Sequence, residues 1–190
     1  MQVTDSKFQV VPTTLQDLVL LKRRPIGDSR GYLERMFCTS DLKALLAGRR
    51  IEQINHTLTE KAGTIRGLHY QAPPFAEMKF VSCVKGRVLD VAVDLRVGSP
   101  TYLKHYSIEL SEFNHLTLCI PEGFAHGFQT LTNHCEMLYF HTAPYSASHE
   151  AGLNTLDPTI AIAWPLPVGE RSTRDQQFSN INSEFIGVRL

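Results

Sequence analysis

Apolar residues along the chain come in short runs punctuated by turn residues, the pattern of an antiparallel β-sandwich or barrel rather than of a helical protein. Phe80 to Val84 and Arg87 to Leu95 flank Lys85-Gly86, and this spacing predicts two strands joined by a tight glycine-containing turn. In the second strand Leu89, Val91, Val93 and Leu95 fall on one wholly apolar face. Val88, Asp90, Ala92 and Asp94 fall on a mixed face that carries both carboxylates. Further strands are predicted over Tyr102 to Leu110, His115 to Ile120, Gly127 to Leu131 and Glu136 to Thr142. The expected fold is mainly β, a jelly roll with few short helices. One helix is predicted over Asp41 to Ala47, with Ser40 as capping hydroxyl and Gly48 as a left-handed stop. Beyond Trp164 the chain is polar and aperiodic, and no element is predicted there.

The 190 residues are 43% hydrophobic, enough for one well-filled core, so a single domain over residues 1–190 is expected. Lys+Arg and Asp+Glu number 19 each. With no basic run to follow a polyanion, neither nucleic acid nor a membrane surface is an expected partner. The opening segment, MQVTDSKFQVVPTT, lacks a basic stretch followed by an apolar one, and no apolar window approaches the ~18 residues of a membrane span. A soluble cytoplasmic protein is expected. Cys38, Cys83, Cys119 and Cys135 stand apart, without CxxC spacing, and read as free structural thiols.

The candidate chemistry sits in a recognisable frame. Gly63 and His69 have five residues between them, Lys79 and Gly86 have six, and Pro121-Glu122-Gly123-Phe124-Ala125-His126 follows. This is the frame of a metal-binding cupin, whose His-x-His, Glu and second-motif His converge on a divalent ion. Here the donors are replaced. Gln71 stands at the second His position and Lys79 at the Glu position, and an ammonium has no lone pair to give a cation. No metal and no cofactor are expected. His69, Lys79 and His126 would instead offer a base, a cation and a second imidazole, a set suited to proton abstraction beside a carbonyl. A neutral imidazole, with a reference pKa of about 6.5, takes the carbon-bound proton, and a fixed ammonium stabilises the enolate oxygen.

The string TIRGLHYQAPPFAEMKFVSCVKGRVLDVAVDLRVGSPTYL, then LSEFNHLTLCIPEGFAHGFQTL and DPTIAIAWP, with GDSRG at residues 27–31, resembles the dTDP-4-dehydrorhamnose 3,5-epimerase family over roughly residues 15 to 180. The resemblance implies a cupin-type barrel, a nucleotide-sugar substrate, inversion at C3 and C5 of a 4-keto-6-deoxyhexose, and a homodimer whose N-terminal segment reaches the neighbouring site. It also implies roles, residue by residue. His69 matches the base, Asp175 the carboxylate that orients it, Lys79 the residue facing the C4 oxygen, and Tyr139 the phenol that reprotonates the opposite face. Arg66 and Arg30 match arginines that contact phosphate, where a guanidinium fork suits a diphosphate. Gln53, Asn55, Thr57 and Tyr145 lie where the family binds base or sugar, and His126 and Arg174 complete the substrate-binding set. The chain departs from the family at Leu33, where many members carry a phenylalanine, and at Glu34-Arg35.

Two other readings share the frame: an epimerase acting at C3 only or on another deoxysugar, and a non-catalytic cupin that binds a sugar nucleotide. The full set of His69, Asp175, Lys79 and Tyr139 favours an enzyme, because a binder has no chemical reason to combine them.

Overall fold

The computed structural model describes residues 7–190. Residues 1–6, part of the opening segment read above for a leader, lie outside the described residues. Among those described, no helix is long and apolar enough to cross a membrane.

Two antiparallel sheets form the body. The six-stranded sheet runs in the order β1 (Phe8–Pro12), β2 (Val19–Arg23), β10 (Leu116–Ile120), β7 (Lys79–Lys85), β12 (Cys135–His141), β5 (Gln53–Thr59). The five-stranded sheet runs β13 (Glu150–Gly152), β6 (Ile65–Gln71), β11 (Phe124–Thr130), β8 (Arg87–Asp94), β9 (His105–Ser111). A small hairpin of β3 (Ile26–Asp28) and β4 (Gly31–Leu33) stands apart from both. This is the expected cupin-type jelly roll.

Why the central strands read as near-continuous apolar runs is answered by burial on both faces. Val81, Leu118 and Met137 from one sheet meet Val88, Ala92 and Phe128 from the other in the space between them. On the outside of the five-stranded sheet, Val91, Val93 and Leu95 pack under Leu153, Ile160 and Val188 of the C-terminal segment. Outside the six-stranded sheet, Leu42 and Leu46 cover Phe80, Cys119 and Phe140. The wholly apolar face of β8 is therefore the outer one. Its mixed face points between the sheets and carries Asp90 inward.

The predicted turn at Lys85-Gly86 is a turn but not a hairpin, because β7 and β8 belong to different sheets. The chain crosses from one wall to the other at Gly86, whose φ is 76°. A Cβ there would lie 2.7 Å from Thr132 Oγ1 and 2.8 Å from Cys135 Sγ, so the crossing needs glycine. A second irregularity lies between β6 and β11. His126 pairs with His69 but Phe128 pairs with Arg66, so Gly67 and Leu68 oppose Gly127 alone in a β-bulge. A Cβ on Gly67 would come within 2.6 Å of Gly127 Cα.

Some boundaries differ from the pattern. Tyr102 and Leu103 belong to a turn, with Leu103 at φ 59°, so β9 starts only at His105. The helix α1 spans only Lys43–Leu46, with Leu42 as N-cap and Ala47, not Gly48, as the left-handed C-cap. The Ser40 hydroxyl is engaged with Cys38 Sγ at 3.0 Å, and a Leu42 N–H to Cys38 carbonyl turn precedes the helix, which delays its start. In the tail a short helix α2 (Thr173–Gln177) forms where none was predicted. All four cysteines are free, and Cys83, Cys119 and Cys135 are buried.

Candidate active site

The space between the sheets is apolar at one end and polar at the other, and the polar end opens into a cavity of about 740 Å³. Strand alternation sets both walls. On β12, Met137 points into the apolar core while Tyr139 and His141 line the cavity; on β7, Val81 is core and Lys79 lines the cavity. Gln53, Asn55 and Thr57 of β5, two residues apart, complete that wall, with Asn55 opposite Tyr139 and Gln53 opposite His141. The five-stranded wall contributes Arg66, His69 and Gln71 from β6 and His126 from β11. Tyr145, Glu150 and the segment from Glu170 to Asp175 rim the opening.

Asp175 reaches the site because Ser172 caps α2. The Ser172 hydroxyl accepts from the Asp175 N–H at 3.0 Å, fixing the first turn with the carboxylate buried. Asp175 Oδ1 lies 2.8 Å from His69 Nε2, and Oδ2 accepts from the Gly67 N–H at 3.1 Å. Burial opposes ionisation of Asp175, but the His69 and Gly67 hydrogen bonds outweigh it and hold the carboxyl at about 2. Arg174 Nη2 is 3.1 Å from the same His69 nitrogen. A ring nitrogen serves one hydrogen bond, and the nearer, anionic Asp175 takes it, so Nε2 carries the proton and Nδ1 keeps the lone pair. Arg174 also binds Glu150 Oε2 at 2.5 Å.

Lys79 is buried against Glu77, Nζ to Oε1 3.0 Å. Glu77 Oε2 is 2.8 Å from His141 Nδ1. Burial opposes the Glu77 charge, yet the His141 hydrogen bond and the Lys79 ammonium prevail and hold its carboxyl below the ordinary range. His126 Nε2 stands 2.8 Å from the buried Asp90 Oδ1, and its ring meets that of Tyr139 edge-on with centroids 6.1 Å apart. Burial, with a smaller contribution from the Asp90 carboxylate, pushes the Tyr139 phenol well above its ordinary value. It therefore holds its proton at neutral pH.

Eleven of the twelve residues singled out from the sequence line this one cavity: His69, Asp175, Lys79, Tyr139, Gln53, Asn55, Thr57, Arg66, His126, Tyr145 and Arg174. Arg66 donates through Nε to Thr59 Oγ1 at 2.9 Å, leaving much of its guanidinium exposed at the rim. Arg30 is the exception. It sits on the β3–β4 hairpin with its side chain 87% exposed, paired with Asp28, and takes no part in this chain's cavity. Glu77, His141 and Asp90 were not singled out as site residues. Alternation was the available signal, since His141 follows Tyr139 by two on the same strand face. Among the described residues no three His, Cys, Asp or Glu side chains converge as a metal site.

The family model described as dTDP-4-dehydrorhamnose 3,5-epimerase matches residues 12–183. A dTDP-4-dehydrorhamnose 3,5-epimerase of Sinorhizobium fredii is 46% identical over 80% of this chain and 78% of its own. That of Escherichia coli is 38% identical over 96% of this chain and 99% of its own. The crystal structure of dTDP-6-deoxy-D-glucose-3,5-epimerase from Legionella pneumophila, in complex with dTDP-4-keto-L-rhamnose, superposes with a TM-score of 0.87 at 34% identity, covering 95% of this chain and 98% of that one.

Proposed function

The chain belongs to the dTDP-4-dehydrorhamnose 3,5-epimerase family, and from that premise we propose that it inverts C3 and C5 of a dTDP-linked 4-keto-6-deoxyhexose by proton removal and return beside the C4 ketone. One observation carries the assignment of roles: His69 and Tyr139 project from facing sheets into one cavity, with Lys79 between them in sequence and lining the same space. Inversion needs a base on one face of the sugar and an acid on the other.

In this reading His69 Nδ1 takes the carbon-bound proton, and Asp175 stabilises the imidazolium that results. Charge moves to the C4 oxygen, where the buried Lys79 ammonium stabilises it. Tyr139, still a phenol at neutral pH, gives a proton to the carbon from the opposite side. Arg66 and the polar residues of β5 hold the nucleotide end. We further propose a homodimer in which the exposed β3–β4 hairpin, with Arg30, completes the partner's site. Its exposed Ile26, Tyr32 and Leu33 support this, since large apolar side chains at 58%, 62% and 69% exposure favour a covering surface.

The test is proton NMR in heavy water with dTDP-4-keto-6-deoxyglucose, following C3 and C5 separately. Exchange with inversion at both carbons is expected. Exchange at C3 alone would favour the monoepimerase reading, and none at either carbon would leave only a binder.

A further inference from the structure

Three histidines that line the cavity are each paired with a carboxylate: His69 with Asp175, His126 with Asp90 behind it, and His141 with Glu77. The third has no part in the mechanism above, and it closes a hydrogen-bonded chain whose direction is set from one end. The Tyr145 backbone N–H can only donate, and Gln53 Oε1 accepts it at 3.0 Å. That fixes the Gln53 amide, whose Nε2 then donates to Asn55 Oδ1 at 3.1 Å. Asn55 consequently turns Nδ2 toward His141 Nε2, at 3.4 Å the longest link. An amide nitrogen only donates, so His141 Nε2 accepts, and the ring's single proton is on Nδ1, donated to Glu77 Oε2. The other Glu77 oxygen takes the Lys79 ammonium.

Resting on the epimerase reading, we propose that Glu77 and His141 are positioning residues for this reaction, holding the Lys79 ammonium toward the reacting ketone and tying it, through the neutral Nδ1–H tautomer of His141, to the Gln53–Asn55 side of the cavity. A lysine ammonium is a point charge on a flexible stem, and in a buried site its place is set by its counter-ion. Stability alone gives little reason for the cluster, since a buried ion pair is often no better than apolar packing of the same volume. Its value lies in geometry, for a misplacement of about 1 Å at a reacting group can cost roughly 10²-fold in rate. Because Gln53 and Asn55 line the cavity, a ligand that bonds either one acts on the same chain that ends at Lys79.

Two measurements test this. The first needs no substrate: ¹⁵N NMR of histidine-labelled, ligand-free protein at neutral pH, with His141→Asn identifying the resonance. A protonated Nδ1 and bare Nε2 are expected, and Asn55→Asp, which exchanges the donor for an acceptor, should protonate Nε2. An Nε2–H tautomer in the unsubstituted protein would overturn the chain. The second is steady-state kinetics. Glu77→Gln and His141→Leu are expected to lower kcat about 10²-fold with KM changed less than about threefold. His141→Asn, whose amide N–H takes the place of Nδ1–H, should recover most of the loss, whereas a purely structural histidine would be replaced better by leucine. Wild-type kcat in both Glu77→Gln and His141→Leu overturns the proposal, as does a loss that His141→Asn leaves unrecovered. If the unsubstituted protein turns over no 4-keto sugar, the epimerase reading fails instead, while the tautomer measurement still decides the chain.

Discussion

Asp175 Oδ1 stands 2.8 Å from His69 Nε2 although 106 positions separate the two residues. The contact joins a strand of the five-stranded sheet to a one-turn helix in a segment with no other regular structure around it. Its hold on the carboxyl makes the pair visible in stability.

Asp175 is held at about 2 against an ordinary 3.8. A carboxyl depressed by folding stabilises the native state fully above its unfolded value, and the contribution is lost as pH falls through the folded one. Denaturant titrations from pH 6 down to 2 should therefore show stability falling between about pH 4 and 2 by roughly 2 kcal/mol on this account. In Asp175→Asn that component should vanish; an unchanged acid limb in the variant would assign it elsewhere.

His69 and Tyr139 should separate in heavy water. His69→Ala is expected to abolish both inversion and deuterium uptake at C3 and C5, since no enolate forms. Tyr139→Phe should slow inversion by about 10²–10⁴-fold while some deuterium enters with retained configuration through protonated His69. Wild-type inversion in Tyr139→Phe would make the phenol a packing residue.

Lys79→Met is expected to lower kcat by about 10²–10³-fold with little change in substrate affinity, because the ammonium matters most when charge builds on the ketone oxygen. Single-turnover rates set beside the dissociation constant decide it. A loss seen only in binding would move Lys79 to the phosphate side.

Arg66→Ala should weaken binding of the sugar nucleotide and leave the chemical step of bound substrate nearly intact, since a diphosphate contact is much the same in ground and transition states. Calorimetric titration with dTDP and single-turnover kinetics at saturation are the paired measurements, and a large fall in the latter would contradict the assignment.

Arg30, outside its own chain's cavity, gives a complementation test. Equal amounts of Arg30→Ala and His69→Ala chains, unfolded and refolded together, should regain activity at subsaturating substrate, because random pairing restores about one site in four. Refolded mixtures no better than the average of the parents would confine Arg30 to its own chain.

How far the site was legible follows from where its parts lie. His69 and His126 sit on the paired strands β6 and β11 and Lys79 on β7 of the facing sheet, all at positions the motif spacing marked, and strand alternation accounts for their convergence. Glu77 escaped because it precedes β7, where alternation gives no direction, and Asp90 because its mixed face looks like an outer one until both sheet faces are known to be covered. The turn at Lys85-Gly86 was legible, but not the sheet to which it leads. Local sequence specifies a reversal at Gly86 but not whether the returning strand pairs with the last one or crosses to the opposite wall. In the tail, Ser172-Thr173-Arg174-Asp175 carried a helix-start signature too short to register as periodicity.

The bulge at Gly67-Leu68 has a consequence for counting. Side chains of a regular strand share a face only at even separations, and Arg66 and His69 are three apart. The extra residue changes the parity, so that an odd step in sequence becomes an even one in the sheet, and Arg66 and His69 open onto the same space. Deleting Gly67 would therefore be no simple shortening. Arg66 and His69 would then stand two apart and still share a face by plain alternation. The bulge would go, however, and with it the Gly67 N–H that holds Asp175 Oδ2 at 3.1 Å, keeping both side chains in the site while loosening the carboxylate beside His69.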